Sequence, residues 1–232
     1  MEVVFIACNI FPFPRGLEES MRKLAVFDLD GTLHHTEKAL APAIARAVSD
    51  VTGGPEPPFS RINALYGEPL EKFCRLLTGR SDDATFSFFM ERVRYHQART
   101  IPESGALYPG VVDMLRTLQE EGFELALLSN AHIDYMEEVT GSLGIRRFFA
   151  ALRGRGEEAS KTSRLRELAQ GRDFTVMVGD RYHDVQAAVD LGIPAVACTY
   201  GYGSEEEHEG AIPASLPEEI PGIIHGLLRQ GT

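Results

Sequence analysis

An apolar, strand-type run, Leu24-Ala25-Val26-Phe27, stops abruptly at Asp28-Leu29-Asp30-Gly31-Thr32-Leu33. No other stretch restricts the fold as strongly. Residues i and i+2 of a strand share a face, so Asp28 and Asp30 are expected to project together from the strand's C-terminal end. Open α/β sheets bind their ligands at that end. Two close carboxylates repel unless a cation or a shared proton relieves them. A hard divalent ion such as Mg²⁺ suits oxygen ligands of this kind.

The same texture returns downstream. Residues 123–128 read as a strand ending in Ser129-Asn130, residues 174–178 as a strand ending in Gly179-Asp180, and residues 195–199 as a third. Helices are expected over 111–121, 133–143, 161–169 and 183–191, with a short apolar piece at 147–152. This alternation implies an α/β fold with a parallel sheet and right-handed crossovers. Between the first strand and Tyr108-Pro109-Gly110 the texture is helical. Ala39–Val51 forms one helix, with Pro42 in its first turn, where proline is tolerated, and Gly53-Gly54-Pro55 after it. Gly67-Glu68-Pro69 starts a helix through Leu77. Asp82-Asp83 opens another, with Phe86, Phe89, Val93 and Gln97 at helical spacing and the aromatics read as core. A helical block inserted after the first strand reads as a second domain.

Three strand ends thus bring polar residues to one edge: Asp28 and Asp30, Ser129 and Asn130, and Asp180, with Asp184 one helical turn on. Lys161, the one lysine between Ser129 and Asp180, opens a helix. This order and spacing resembles the four motifs of the haloacid dehalogenase-like hydrolases. Asp28-Leu29-Asp30-Gly31-Thr32-Leu33 is similar to the first, Ser129 to the second, Lys161 to the third, and Gly179-Asp180-Arg181-Tyr182-His183-Asp184 to the fourth. The resemblance covers residues 21–232. It implies a three-layer Rossmann-like core, 21–34 and 106–232, with a helical cap, 35–105. It also implies Asp28 as nucleophile, giving an aspartyl-phosphate, and Asp30 as general acid and base. Mg²⁺ would sit on Asp28, the Asp30 backbone carbonyl and Asp180. Ser129 and the Asn130 N–H would bind phosphoryl oxygens, with Lys161 as a point charge. Asp184 would orient Lys161 or the metal's water shell.

The branch most similar is that of the phosphoglycolate phosphatases. A small phosphorylated metabolite is therefore the expected substrate. A β-phosphoglucomutase-like mutase, a pyrophosphate or nucleotide phosphatase, and a silent binding fold are the alternatives. Some positions depart from the pattern. His35 stands where relatives often carry an acid, beside His34, and no further His or Cys lies at ligand spacing, so the pair reads as exposed or substrate-proximal rather than as a zinc site. Arg181 replaces a small hydroxyl residue, and Lys161 lacks the proline that often follows it. Gly201-Tyr202-Gly203-Ser204 reads either as a loop at the site entrance or as a plain turn, and Glu205–Glu209 as a solvated loop or helix start.

A net charge of −11 argues against nucleic acid and anionic membrane as partners. It also requires any phosphate site to be positive locally, through metal, lysine and backbone N–H groups. Three widely spaced cysteines, Cys8, Cys74 and Cys198, fit reduced thiols in a cytoplasmic protein. The sequence leaves monomer and homodimer open. Residues 1–20 precede Met21-Arg22-Lys23 and read as an N-terminal extension, an over-extended reading frame or a poorly packed arm rather than a signal peptide.

Overall fold

The computed structural model describes residues 21–65, 70–155 and 160–230. The leading piece 1–20 and the Gly67-Glu68-Pro69 helix start lie outside the described residues. Six strands form one sheet: β1 (Lys23–Phe27), β2 (Phe123–Leu128), β3 (Ala151–Arg153), β4 (Phe174–Gly179), β5 (Ala195–Cys198) and β6 (Ile212–Ala214). Their order is β3-β2-β1-β4-β5-β6, and every neighbouring pair is parallel. Phe27 lies beside Leu127 on one side and Val178 on the other. The ends of β1, β2 and β4 are therefore nearly level, and Asp28, Ser129 and Asp180 emerge at one edge. From β1 the chain proceeds to β2 on one side, whereas from β4 it proceeds to β5 on the other. The β1/β4 boundary is thus the point at which the winding reverses, where such sheets hold their ligands.

The helices α1 (Thr36–Thr52), α2 (Phe59–Asn63), α3 (Leu70–Thr78) and α4 (Asp83–Ser104) all fall between β1 and β2. They are followed by α5 (Val111–Glu120), α6 (Ile133–Ser142), α7 (Lys161–Ala169), α8 (Tyr182–Val189) and α9 (Ile220–Gln230). Strand alternation splits the core into two layers. Ala25, Phe27, Leu125, Leu127, Val176 and Val178 pack with Met114 and Leu118 of α5, Met136 and Val139 of α6, and Ile224 of α9. Leu24, Val26, Ala126, Leu128 and Met177 pack with Leu165 of α7 and Ala187 and Ala188 of α8. A sheet covered on both faces explains why its strands read as unbroken apolar runs.

Helices α1–α4 bury their own cluster, including Ile44, Val48, Ile62, Phe73, Phe89 and Val93. Phe89 is core as expected, and Phe86 packs against that cluster while partly buried. Asp82 caps α4, its side chain accepting from the Thr85 N–H at 2.9 Å. α1 ends at Gly53 in the left-handed region, φ 70°. Its start differs from expectation: it begins at Thr36, so Pro42 lies in the second turn and leaves the Lys38 carbonyl without its helical donor.

Among the described residues the short α2, β6 and α9 had no legible signal. β6 is three residues long with a proline, tolerable because it is an edge strand. α9 carries Pro221, Gly222 and Gly226, breakers that mask a helix, although Pro221 falls in the first turn, where its missing N–H costs little. The piece at 147–152 resolves into a 3₁₀ turn, Arg146–Phe148, and β3.

Candidate active site

β1 ends at Phe27, so Asp28 sits at its tip, tied to β4 by its N–H donating to the Val178 carbonyl at 2.9 Å. Asp28 continues the Leu24/Val26 face, which α7 and α8 cover. Lys161, the first residue of α7, donates from Nζ to Asp28 Oδ1 at 2.8 Å. It also contacts Asp184 Oδ1, from the first turn of α8. All three side chains are buried. A methyl group on Gly179 would strike the Asp184 carboxylate, so this approach requires glycine at the end of β4.

Asp180 is held from three sides. Thr32 Oγ1 donates to its Oδ1 at 3.1 Å and the Tyr202 N–H to its Oδ2 at 2.8 Å. His208 Nε2 lies 2.7 Å from its backbone carbonyl oxygen. Gly31, at φ 80°, leaves the space that Asp180 and the Tyr202 ring occupy. The 201–204 loop is therefore more than a plain turn, since it carries a donor for Asp180. Glu205–His208 is a 3₁₀ turn whose Glu207 pairs with Arg181 at 2.8 Å, so the acidic cluster is not merely solvated.

Asp28, Asp180 and Asp184 each offer an oxygen within 4.8 Å of the others. Burial pushes the Asp28 carboxyl up to about 8; Lys161 pulls against that, and the like charges of Asp184 and Asp180 add to it. Burial likewise raises Asp180 to about 7, against the Tyr202 N–H. Lys161 moves the opposite way. Burial disfavours its charge, yet Asp184 and Asp28 hold its proton above the usual lysine range. The two ends of one ion pair differ because three carboxylates share a single ammonium. Fully ionised, the group carries two surplus negative charges in a buried setting, which a divalent cation on oxygen ligands would balance. The donor set fits such an ion.

Asp30 departs from the expectation of a shared strand face. With β1 ended at Phe27, residues 29–34 turn, the Leu33 and His34 N–H groups both donating to the Leu29 carbonyl. Asp30 Oδ1 accepts from Tyr135 Oη at 2.7 Å, from Thr36 Oγ1 at 2.7 Å, and faces His34 Nδ1 at 3.4 Å. Tyr135 belongs to α6, on the opposite face of the sheet from α7. The two aspartates thus serve different partner sets, Asp28 in the lysine cluster and Asp30 outside it. Burial presses Asp30 upward, but the His34, Thr36 and Tyr135 donors outweigh it and hold the carboxyl below the ordinary range. His34 is fully buried against Asp30, which removes the exposed alternative of the exposed-or-substrate-proximal reading, and His35 stacks on Tyr108 with ring centroids 3.7 Å apart.

Ser129 is buried at the end of β2, its Oγ accepting from the Ala131 N–H at 3.1 Å, and Asn130 is exposed beside it. Residues 25–198 match the model of the haloacid dehalogenase-like hydrolases. The chain belongs to this family. It is 28% identical over 228 residues to IndB of Dickeya dadantii, named a probable phosphatase, covering 90% of this chain and 96% of that one. It is 30% identical over 198 residues to a phosphoglycolate phosphatase of Mesorhizobium japonicum, covering 81% and 87%. The crystal structure of a predicted phosphoglycolate phosphatase from Haemophilus somnus shares the fold, with a TM-score of 0.76 at 23% identity over 88% of this chain and 98% of that one.

The family match runs from within β1 to the end of β5 and spans all seven expected site residues. Sequence reasoning missed Tyr135, Thr36 and His208. Tyr135 sits five residues past Asn130, on a helix that had been legible, but no motif marked its inward turn.

Proposed function

We propose that this protein is a Mg²⁺-dependent phosphomonoester hydrolase acting on a small phosphorylated metabolite through an aspartyl-phosphate on Asp28. The observation that carries this reading is the buried Asp28–Lys161 pair at 2.8 Å, beside two further buried carboxylates at a strand-end crevice. The complete set of Asp28, Asp30, Lys161 and Asp180 also speaks against a silent binding fold, which has no need of Asp30. The named activities of the relatives point the same way and make 2-phosphoglycolate the first substrate to try.

Asp28 and Asp180, with the Asp30 backbone carbonyl, would hold the metal. When bound, the ion neutralises carboxylate–phosphate repulsion and polarises the phosphoryl oxygens. An Asp28 carboxylate oxygen attacks phosphorus and the bond to the leaving oxygen breaks. Asp30 gives that oxygen a proton, then takes one from the water that hydrolyses the acyl phosphate. The donors on Asp30 favour its base form in the free enzyme. The approaching phosphate charge, in a site emptied of water, raises its affinity for the proton needed in the first half. Lys161 supplies positive charge to Asp28 and the phosphoryl group, and Asp184 fixes the Lys161 ammonium. Ser129 Oγ and the Asn130 N–H receive phosphoryl oxygens. Helices α1–α4 act as the cap, excluding water and selecting the leaving group.

The test is phosphate release from a panel of small phosphates, with Mg²⁺ or with EDTA, on wild type and Asp30→Ala. Metal-dependent release that disappears in the variant supports the reading. Release from no panel member refutes it, and isomerisation primed by a sugar bisphosphate would then be assayed.

A further inference from the structure

Arg164 lies one turn beyond Lys161 on α7 and is 5% exposed. Its Nη1 donates to the Ser129 carbonyl at 2.6 Å and the Gly154 carbonyl at 2.7 Å, with a longer contact to the Arg153 carbonyl at 3.4 Å. Nη2 donates to Asn130 Oδ1 at 2.7 Å, and Nε reaches the Ser160 carbonyl at 3.4 Å. Every acceptor is neutral. Among the described residues no carboxylate pairs with this guanidinium, in contrast to Lys161, which touches two. Asp28 attracts it without an ion-pair contact and Arg155 repels it, so what it holds directly is a set of neutral groups around the end of β2.

The direction of its bonds is informative. A trans peptide points its C=O and N–H to opposite sides. With the Ser129 carbonyl turned onto Arg164, the Asn130 N–H of the same peptide is turned away from it. That N–H donates to no group among the described residues. With Asn130 Oδ1 also taken by Arg164, the side-chain amide keeps its two N–H donors for another acceptor. Among the described residues these donors at the end of β2 have no partner, and the guanidinium stands behind them. In a chain of net charge −11 this is the local positive field that a phosphate site needs.

We infer that Arg164 is a positioning residue for the phosphoryl group, aiming the Asn130 donors at its oxygens and supplying the charge behind them. The inference rests on the phosphatase reading of the site. Lysine at this position keeps the charge but loses the fork that grips two carbonyls and an amide at once.

The experiment measures kcat and KM for p-nitrophenyl phosphate, and competitive inhibition by inorganic phosphate, in wild type, Arg164→Lys, Arg164→Met and Asn130→Ala, all with Mg²⁺. Circular dichroism and thermal melts establish the folded fraction. The expected result is a joint rise in KM and in the phosphate inhibition constant, about tenfold or more in Arg164→Met and less in Arg164→Lys. Asn130→Ala should give a smaller rise of the same kind, and it carries the test with Arg164→Lys if Arg164→Met does not fold. Folded variants whose KM and inhibition constant stay within about twofold of wild type overturn the assignment, as does a loss confined to apparent kcat that follows the folded fraction. A wild type that releases phosphate neither from p-nitrophenyl phosphate nor from any member of the panel refutes the phosphatase reading itself, an outcome distinct from an active wild type with unaffected variants.

Discussion

Two clusters of carboxylates and cations in this molecule behave in opposite ways. At the sheet edge, Asp28, Asp180 and Asp184 share the Lys161 ammonium in a buried setting, and Asp28 and Asp180 are driven up to about 8 and about 7. Between α1 and α4, Asp50 alone accepts from two partners, Arg92 Nε at 2.6 Å and His96 Nε2 at 2.7 Å, with its side chain 33% exposed. The His96 hydrogen bond, outweighing burial, and Arg92 hold Asp50 below the ordinary range. The residue types are nearly the same. What differs is the ratio of carboxylates to donors and the access of water. A surplus of donors at the surface makes a modest tie between helices. A surplus of buried carboxylates makes a place that resists being ionised until a cation arrives.

The sharpest way to break this contrast is Asp28→Asn. Turnover should fall by at least about 10³-fold, measured as phosphate release. Metal-free stability should rise, by about 3 °C in Tm for the roughly 1 kcal/mol of relieved repulsion in a chain of this size. A lower metal-free Tm would make the cluster a net stabiliser and erase the difference between the two regions.

Asp30 is the intermediate case, rich in donors like Asp50 but inside the site. Tyr135→Phe removes one donor and should lower kcat about tenfold while leaving the melt unchanged. A wild-type kcat would show that Thr36 and His34 suffice to hold the carboxylate.

The pH dependence should differ in sign. Asp28 and Asp180 have folded values raised above the roughly 3.9 of an unfolded aspartate. Their contribution is complete below that unfolded value and is lost as pH rises through about 7 and about 8. Metal-free Tm should therefore decline toward alkaline pH, and added Mg²⁺ should recover it most where the decline is largest. Melts that rise over the same range, or that ignore Mg²⁺, would contradict the charge count. Asp50 runs the other way: its contribution is present above the unfolded value and disappears as pH falls through its lowered one. Asp50→Asn should cost only about 0.5 kcal/mol, the scale of an exposed ion pair, and the cost should vanish in acid. Urea melts at neutral and acidic pH would measure it.

Much of the site was legible because short-range rules govern it. Asp28, Ser129 and Asp180 each end an apolar strand run, and Lys161 opens α7 at its expected residue. Strand alternation was extended one step too far at Asp30, because β1 stops at Phe27 and the following turn sets that side chain's direction. Pro42 was placed too near the start of α1 because nothing in His34-His35-Thr36 announces a helix. Tyr135, His208 and Arg164 carried no local mark, since each acts on a residue far away in the chain.

From the sequence alone came the order of strands and helices as far as β5, the helical insertion and the residues gathered at the sheet edge. Periodicity and strand termini are properties of neighbours along the chain. The tertiary structure alone decided that three carboxylates would share one ammonium, that Asp30 would turn to α6 while Asp28 faces α7, and that a guanidinium would grip the Ser129 carbonyl and the Asn130 side chain. Those facts depend on which helix covers which face of the sheet and at what distance. Burial then sets the cost of each charge, and packing fixes burial only after the whole chain has folded.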